Sequence, residues 1–192
     1  GTTSATLAWS FNSGAETFDY LATGETLVLT YTVKAVDDDG TPLSDTETVA
    51  ITISGSNDAP VITDGPDSAG LSETNAALAA TGTLTVADVD TTDNITASVD
   101  GLSITGTSDR TDDAAPSDDD LRSMLTVTPE AVLDGGTTSA TLAWSFNSGA
   151  ETFDYLATGE TLVLTYTVKA VDDDGNPLSD TETIAITISG SN

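Results

Sequence analysis

Residues 26–60 read TLVLTYTVKAVDDDGTPLSDTETVAITISGSNDAP. Leu27, Leu29, Tyr31 and Val33 alternate with polar residues, and after an Asp-rich stretch ending at Gly40 the alternation resumes with Val49, Ile51 and Ile53. An apolar period of two places all seven side chains on one face of extended backbone, so the stretch predicts two half-buried β-strands joined by a turn. Leu7, Trp9 and Phe11 show the same alternation just upstream and predict a third strand, with Trp9 turned toward the core.

The same stretch occurs twice. Residues 1–57 are repeated at 136–192, an offset of 136 − 1 = 135 residues, and differ only at Thr41 against Asn176 and Val49 against Ile184. Leu142 to Phe146, with Trp144 facing inward, Leu162 to Val168 and Ile184 to Ile188 are therefore strands as well. Further strands are expected at Val61–Thr63, Thr83–Val86, Ile95–Val99, Leu102–Ile104 and Leu125–Thr128. Seven or eight strands without a long helix imply an all-β sandwich. TSDRTDDAAPSDDDLRSM, residues 107–124, reads as an acidic surface loop with one helical turn opened by Ser117. The organisation that follows is the C-terminal part of one repeat at 1–57 and a complete repeat at 58–192. Three strands are too few to close a sandwich, so residues 1–57 are expected to be unstable alone or to borrow strands from another molecule.

The chain has 192 residues, 32 of them Asp or Glu against 4 Lys or Arg, for a net charge of −28. Such a charge repels nucleic acid and must be accommodated in the folded state. Cys and His are both absent, which removes disulfides, thiolate chemistry, soft-metal sites and the commonest general base. Hard cations bound through oxygen remain. No apolar run approaches the roughly 18 residues of a membrane span, and no leader pattern opens the sequence. The chain reads as an interior piece of a longer array.

Three acidic clusters stand at predicted strand ends: SNDAP at 56–60, VADVDTTDN at 86–94, and AVDDDG at 170–175 with its copy at 35–40. Alternation along a strand sends Asp88 and Asp90 to the same side and turns Val89 inward. Two carboxylates about 4 Å apart repel by roughly 4 kcal/mol at an effective dielectric near 20, and a calcium ion, which accepts six to eight oxygens, relieves that cost. Solvated acidic turns are the plain alternative. Neither an EF-hand loop nor a glycine-rich calcium nonapeptide is present, so any site must be assembled from distant segments.

YTVKAVDDDGTPLSDTETVAITISGSNDAP, residues 31–60, resembles the last two strands and linker of a cadherin-type repeat. GTLTVADVD at 82–90, with the strands of 142–168, is similar to the VCBS repeats of giant bacterial surface adhesins, often exported with RTX-type signals. The likeness covers 58–192 and implies a cadherin- or immunoglobulin-like β-sandwich in tandem repeats joined by short calcium-binding linkers. It further implies that Asn57 and Asp58 of the linker meet Asp88, Asp90 and Asp172, that Glu73 faces the next linker near Asn192, and that Asp19 and Asp154 occupy an acidic position of the family pattern. Leu21 and Leu156 replace that pattern's Glu, Gly55 its acidic first linker residue and Ala59 its second Asn, so one or two Ca2+ per joint are expected, bound in the roughly 10⁻⁴ to 10⁻³ M range of extracellular modules. Asp37 is expected to serve a linker further upstream.

The function implied is a calcium-stabilised extender on a bacterial cell surface, contributing to attachment or biofilm formation. It contacts adjacent repeats and neither enters a membrane nor binds nucleic acid. A glycosidase with paired carboxylates is disfavoured, because the clusters sit at joints and turns rather than in a cleft. A calcium-dependent carbohydrate-binding module is the stronger alternative, and homophilic adhesion a third. Asn94-Ile95-Thr96 matches a glycosylation acceptor but reads better as a strand start.

Overall fold

The computed structural model describes residues 4–38 and 40–191. Two strands precede the linker, β1 (Thr26–Val36) and β2 (Ser44–Ser54), and form a separate two-stranded antiparallel sheet. After the linker come β3 (Val61–Thr63), β4 (Asp67–Ser72), β5 (Ala79–Ala87), β6 (Asn94–Gly106), the short helix α1 (Asp118–Ser123), β7 (Leu125–Thr128), β8 (Ala131–Asp134), β9 (Ser139–Asn147), β10 (Thr161–Val171) and β11 (Ser179–Ser189).

These nine strands form two sheets, one ordered β4-β11-β10-β6-β8 and the other β3-β5-β9-β7, so the chain is an all-β sandwich. The inward residues follow from the alternation. Leu162, Leu164, Tyr166 and Val168 of β10 are fully buried, as are Ile184, Ile186 and Ile188 of β11, and they meet Leu84, Val86, Leu142, Trp144 and Phe146 from the other sheet. α1 seals one edge of this core with Leu121, whose carbonyl accepts the buried Tyr166 hydroxyl at 2.6 Å. Ser117 caps the helix, its side chain accepting from the Asp120 amide, as the sequence implied.

Several expectations change. β6 is one strand, continuous through Asp100 and Gly101, with a register shift opposite Thr167 and Val168 instead of a break. β4 and β8 are edge strands that escape the pattern reading. In β4 only Ala69 and Leu71 of its six residues are large enough or apolar enough to mark a face, and the four residues of β8, AVLD, run apolar side by side without alternation. β4 runs parallel to β11 over six residue pairs. Residues 7–11 are not a strand, and Trp9 is 61% exposed where Trp144 is 3% exposed. The inward reading of Trp9 therefore fails: it lies beside β1 and β2, but among the described residues it has no flanking strands such as β5 and β7, which pair on either side of Trp144.

Candidate metal centre

The linker after β2 enters the sandwich beside the loops that follow β5 and β10. Asn57 donates from Nδ2 to Asp172 Oδ2 at 3.0 Å, and the Asp58 amide donates to Asp90 Oδ2 at 2.7 Å. Pro60, which fixes one backbone dihedral at this entry, is buried. Five residues named from the sequence, Asn57, Asp58, Asp88, Asp90 and Asp172, are thus gathered at one place from three segments of chain.

The direction of the D-x-D side chains is the reverse of the strand reading. Val89 is 49% exposed, while Asp88 and Asp90 are buried. β5 stops at Ala87, and the Asp90 amide then donates to Asp88 Oδ1 at 3.0 Å. That turn aims both carboxylates into the joint. Sequence reasoning missed Asp93 and Asp174. Asp93 is buried, and one carboxylate oxygen from each of Asp88, Asp90 and Asp93 lies within 4.8 Å of the others. The spacing 88, 90, 93 in VADVDTTDN was the available signal, but Asp93 reads as an ordinary turn residue until the turn is seen to fold inward.

Asp173 turns away and accepts from the Asn94 amide and side chain at 2.9 and 2.7 Å, which ties the β10–β11 loop to the start of β6 and leaves Asn94 in a strand. Asp172 is committed locally, since both its oxygens accept from the Leu178 amide. What remains is a set of buried oxygens with no hydrogen-bond partner: Asn57 Oδ1, Asp88 Oδ2, Asp90 Oδ1, Asp93 Oδ2 and Asp174 Oδ2. Buried acceptors are rarely left unpaired, and each costs about 1–3 kcal/mol, more when charged.

The electrostatics follow. Burial raises the pKa of Asp88, with Asp90, Asp172 and Asp58 adding to it, and burial likewise raises Asp90, reinforced by Asp58, Asp174 and Asp172. Asp93 is pushed up to about 7, first by burial and then by Asp174, Asp90, Asp88 and Asp172. No cationic side chain offsets these charges, the one close ion pair among the described residues joining Arg110 of the 107–117 loop to Asp118 at the start of α1. The donors are all oxygen, come from a linker and loops, and outnumber what magnesium normally takes from protein, so they fit Ca2+.

The remaining predicted residues lie elsewhere. Asp19 is exposed and lines a cavity of about 480 Å3 that also includes Asp88, while the neighbouring Tyr20 carbonyl accepts from Thr91 Oγ1 at 3.2 Å. Glu73 and Asp154 line a cleft at the far end of β11, where Glu73 is buried and accepts from the Ser191 amide and hydroxyl at 2.8 and 2.7 Å. Asn192 lies outside the described residues. Asp37 is exposed and accepts from the Leu43 amide, remote from the linker at 55–60.

The sandwich is of the cadherin-like, immunoglobulin type. Its backbone is similar to a structure of protocadherin gamma B2 extracellular cadherin domains 1–5, with a TM-score of 0.50 and 18% identity over 86% of this chain and 27% of that one. Protocadherin gammaB7 EC3-6 aligns at 0.48 and 14% identity over 84% of this chain and 33% of that one. The CooA pilin subunit of enterotoxigenic Escherichia coli aligns at 0.41 and 12% identity, over 70% of this chain and 100% of that one. The chain thus spans about a third or less of the protocadherin chains it matches. No protein-family model matches the sequence, and no curated protein does.

Proposed function

We propose that this chain is a calcium-stiffened extender from a tandem array on a bacterial cell-surface adhesin of the VCBS and RTX kind, a non-enzymatic spacer that holds adhesive domains away from the cell. The observation that carries the reading is the group of five unpartnered buried oxygens at the joint, contributed by the linker residue Asn57 and by Asp88, Asp90, Asp93 and Asp174 of the following sandwich. A divalent ion held there would tie linker to domain and turn electrostatic repulsion into stiffness. Asp58 and Asp172 stand close enough to add charge, and Asp19 lines the adjoining cavity from the preceding unit.

The second cleft, with Glu73 and Asp154, lies at the other end of β11, where an outgoing linker would leave. An eleven-residue strand rises about 3.4 Å per residue, so each unit would add roughly 35–40 Å of reach. The carbohydrate-binding alternative has no support of its own, because the exposed Trp9 is the copy of a core residue, Trp144.

The test is thermal melting and small-angle scattering of this chain in 10 mM Ca2+ and in chelator. With dissociation constants of about 10⁻⁴ to 10⁻³ M, each ion stabilises by about 1.4–2.7 kcal/mol. The melting temperature should rise by several degrees and the particle should lengthen. Asp88→Ala with Asp90→Ala should abolish both changes. Superimposable curves with and without Ca2+ would sink the reading.

A further inference from the structure

β4, near the start of the sandwich, and β11, its last strand, lie side by side and run in the same direction, from Asp67↔Ile184 to Ser72↔Ser189. We infer that this parallel pair, closed at one end by Asp180 and at the other by Glu73, is a mechanical clamp that bears tension passed along the chain. The inference rests on the extender reading, since a spacer carries load from one end to the other, and it makes no use of the ion.

The direction of the load follows from the topology. The chain enters the sandwich at the joint, where the Asp58 amide meets Asp90, and passes beyond β11 at the cleft that holds Glu73 and Ser191. Both strands run from the joint toward the cleft. A pull on the two ends therefore draws β4 back toward the joint and β11 toward the cleft, so the strands must slide past each other. In that geometry the hydrogen bonds of all six pairs are loaded together, whereas strands pulled apart from one end yield one pair at a time. Single hydrogen bonds are modest, so this sharing sets the barrier to forced unfolding. β3 stands upstream and meets β5 over three pairs only, which makes it the first strand to yield and β4 the principal resistance.

Side chains lengthen the ladder at both ends. At the joint end, Asp180 Oδ2 accepts from the Ile62 amide at 2.8 Å and pins β3 to the start of β11. The turn between β3 and β4 packs so closely on β11 that a Cβ at Gly65 would come within 2.3 Å of Glu182 Cγ. At the cleft end, the Glu73 amide donates to the Ser189 carbonyl at 2.9 Å, and Glu73 Oε1 accepts from the Ser191 amide and hydroxyl at 2.8 and 2.7 Å. Glu73 is buried, which keeps water from replacing these bonds as they stretch. β4 is also fixed crosswise to the other sheet, because the Trp144 indole donates to Asp67 Oδ2 at 2.8 Å in the space left by Gly82, where a Cβ would lie 2.5 Å from both groups. β11 is held on its other edge by β10 through eleven pairs, so β4 is the strand that must move.

The test applies a fixed load to single molecules of the intact chain in chelator. Handles are attached at Ser56→Cys, an exposed site, and at a cysteine added after Asn192, the sequence having no cysteine of its own. A second attachment, Ser56→Cys with Asn176→Cys in the loop before β11, pulls both strands from the joint end and peels them. At equal load the sandwich should last at least about tenfold longer when its strands slide than when they peel. Glu73→Ala should shorten the sliding lifetime by about tenfold and the peeling lifetime by less than about twofold, because peeling has opened the joint end before Glu73 is reached. Asp180→Ala, at the opposite end and only half-buried, should likewise shorten the sliding lifetime by about tenfold, and it serves if the buried Glu73 variant fails to fold. Equal lifetimes in the two geometries would overturn the proposal, as would a sliding lifetime that both substitutions leave unchanged. Since every lifetime is measured in chelator, the clamp stands or falls apart from the extender reading, which is decided by the Ca2+ melting and scattering curves.

Discussion

Residues 1–57 and 136–192 differ at two positions, yet one copy is surface and the other is core. Their local structure agrees closely. Phe18 and Phe153 both have φ of 61°, the amides of Leu21 and Leu156 both donate three residues back, and the amides of Gly55 and Gly190 both reach a Glu carbonyl at 3.0 Å. Burial does not agree, because Tyr31 is 48% exposed and Tyr166 is not exposed at all. Turn chemistry and hairpin register are therefore written in the 57 residues themselves, whereas core formation needs the strands of 58–135. Secondary structure here is local, and stability is a property of the pair.

The sharpest way to break this comparison is paired truncation. Phe146→Ala removes a fully buried ring and should cost about 3–5 kcal/mol of unfolding free energy. Phe11→Ala, the same change in the other copy, should cost less than about 1 kcal/mol, since that ring is 37% exposed. Urea denaturation followed by circular dichroism measures both. Equal losses would show that the first copy is covered by something other than solvent.

The comparison also explains what the sequence could and could not convey. Periodicity read the strands of the repeated stretch correctly wherever a second layer exists, and misread residues 7–11, because alternation records what a segment can bury and not what is present to bury it. Edge strands such as β4, whose DSAGLS turns Asp67, Ala69 and Leu71 inward, carry almost no apolar periodic signal, because one of the three inward residues is an Asp and another an Ala. At the joint, the linker residues and the D-x-D pair were legible as clustered acids. The inward turn that exposes Val89 rests on the Asp90 amide bonding to Asp88, a local Asx-turn that the D-x-D spacing permits but that alternation along a strand conceals.

The joint extends the comparison to the metal reading. Asp172 and Asp37 occupy equivalent positions, but only Asp172 meets a linker residue, Asn57. Asp172→Asn removes a charge beside the site and should lower the calcium-dependent stabilisation of about 1.4–2.7 kcal/mol, though by less than Asp88→Ala with Asp90→Ala. Asp37→Asn should leave it intact. Melting each variant with and without chelator tests the contrast, and an equal loss in both would place the ions elsewhere. Smaller again is the tyrosine pair. Tyr166→Phe deletes the donor to the Leu121 carbonyl and should cost about 1–1.5 kcal/mol, whereas Tyr31→Phe should change stability by less than about 0.5 kcal/mol.

The smallest effect concerns pH and separates the two units by charge. Asp93 has its pKa raised from 3.8 to about 7 in the folded chain, so between those values the folded state holds a proton that the unfolded state has released. Its contribution to stability is fully present below pH 4 and is lost as pH rises through 7. In chelator the sandwich should therefore melt at a higher temperature at pH 5.5 than at pH 8, by the equivalent of about 1 kcal/mol after allowing for relaxation of the neighbouring carboxylates. With saturating Ca2+ the order should narrow or reverse, because the ion binds the ionised carboxylates and the proton competes with it. Asp93→Asn should flatten this part of the chelator profile, while Asp37→Asn should not. A chelated protein whose melting temperature at pH 8 equals or exceeds that at pH 5.5 would mean that the buried acids are neutralised by something other than a proton or a bound cation.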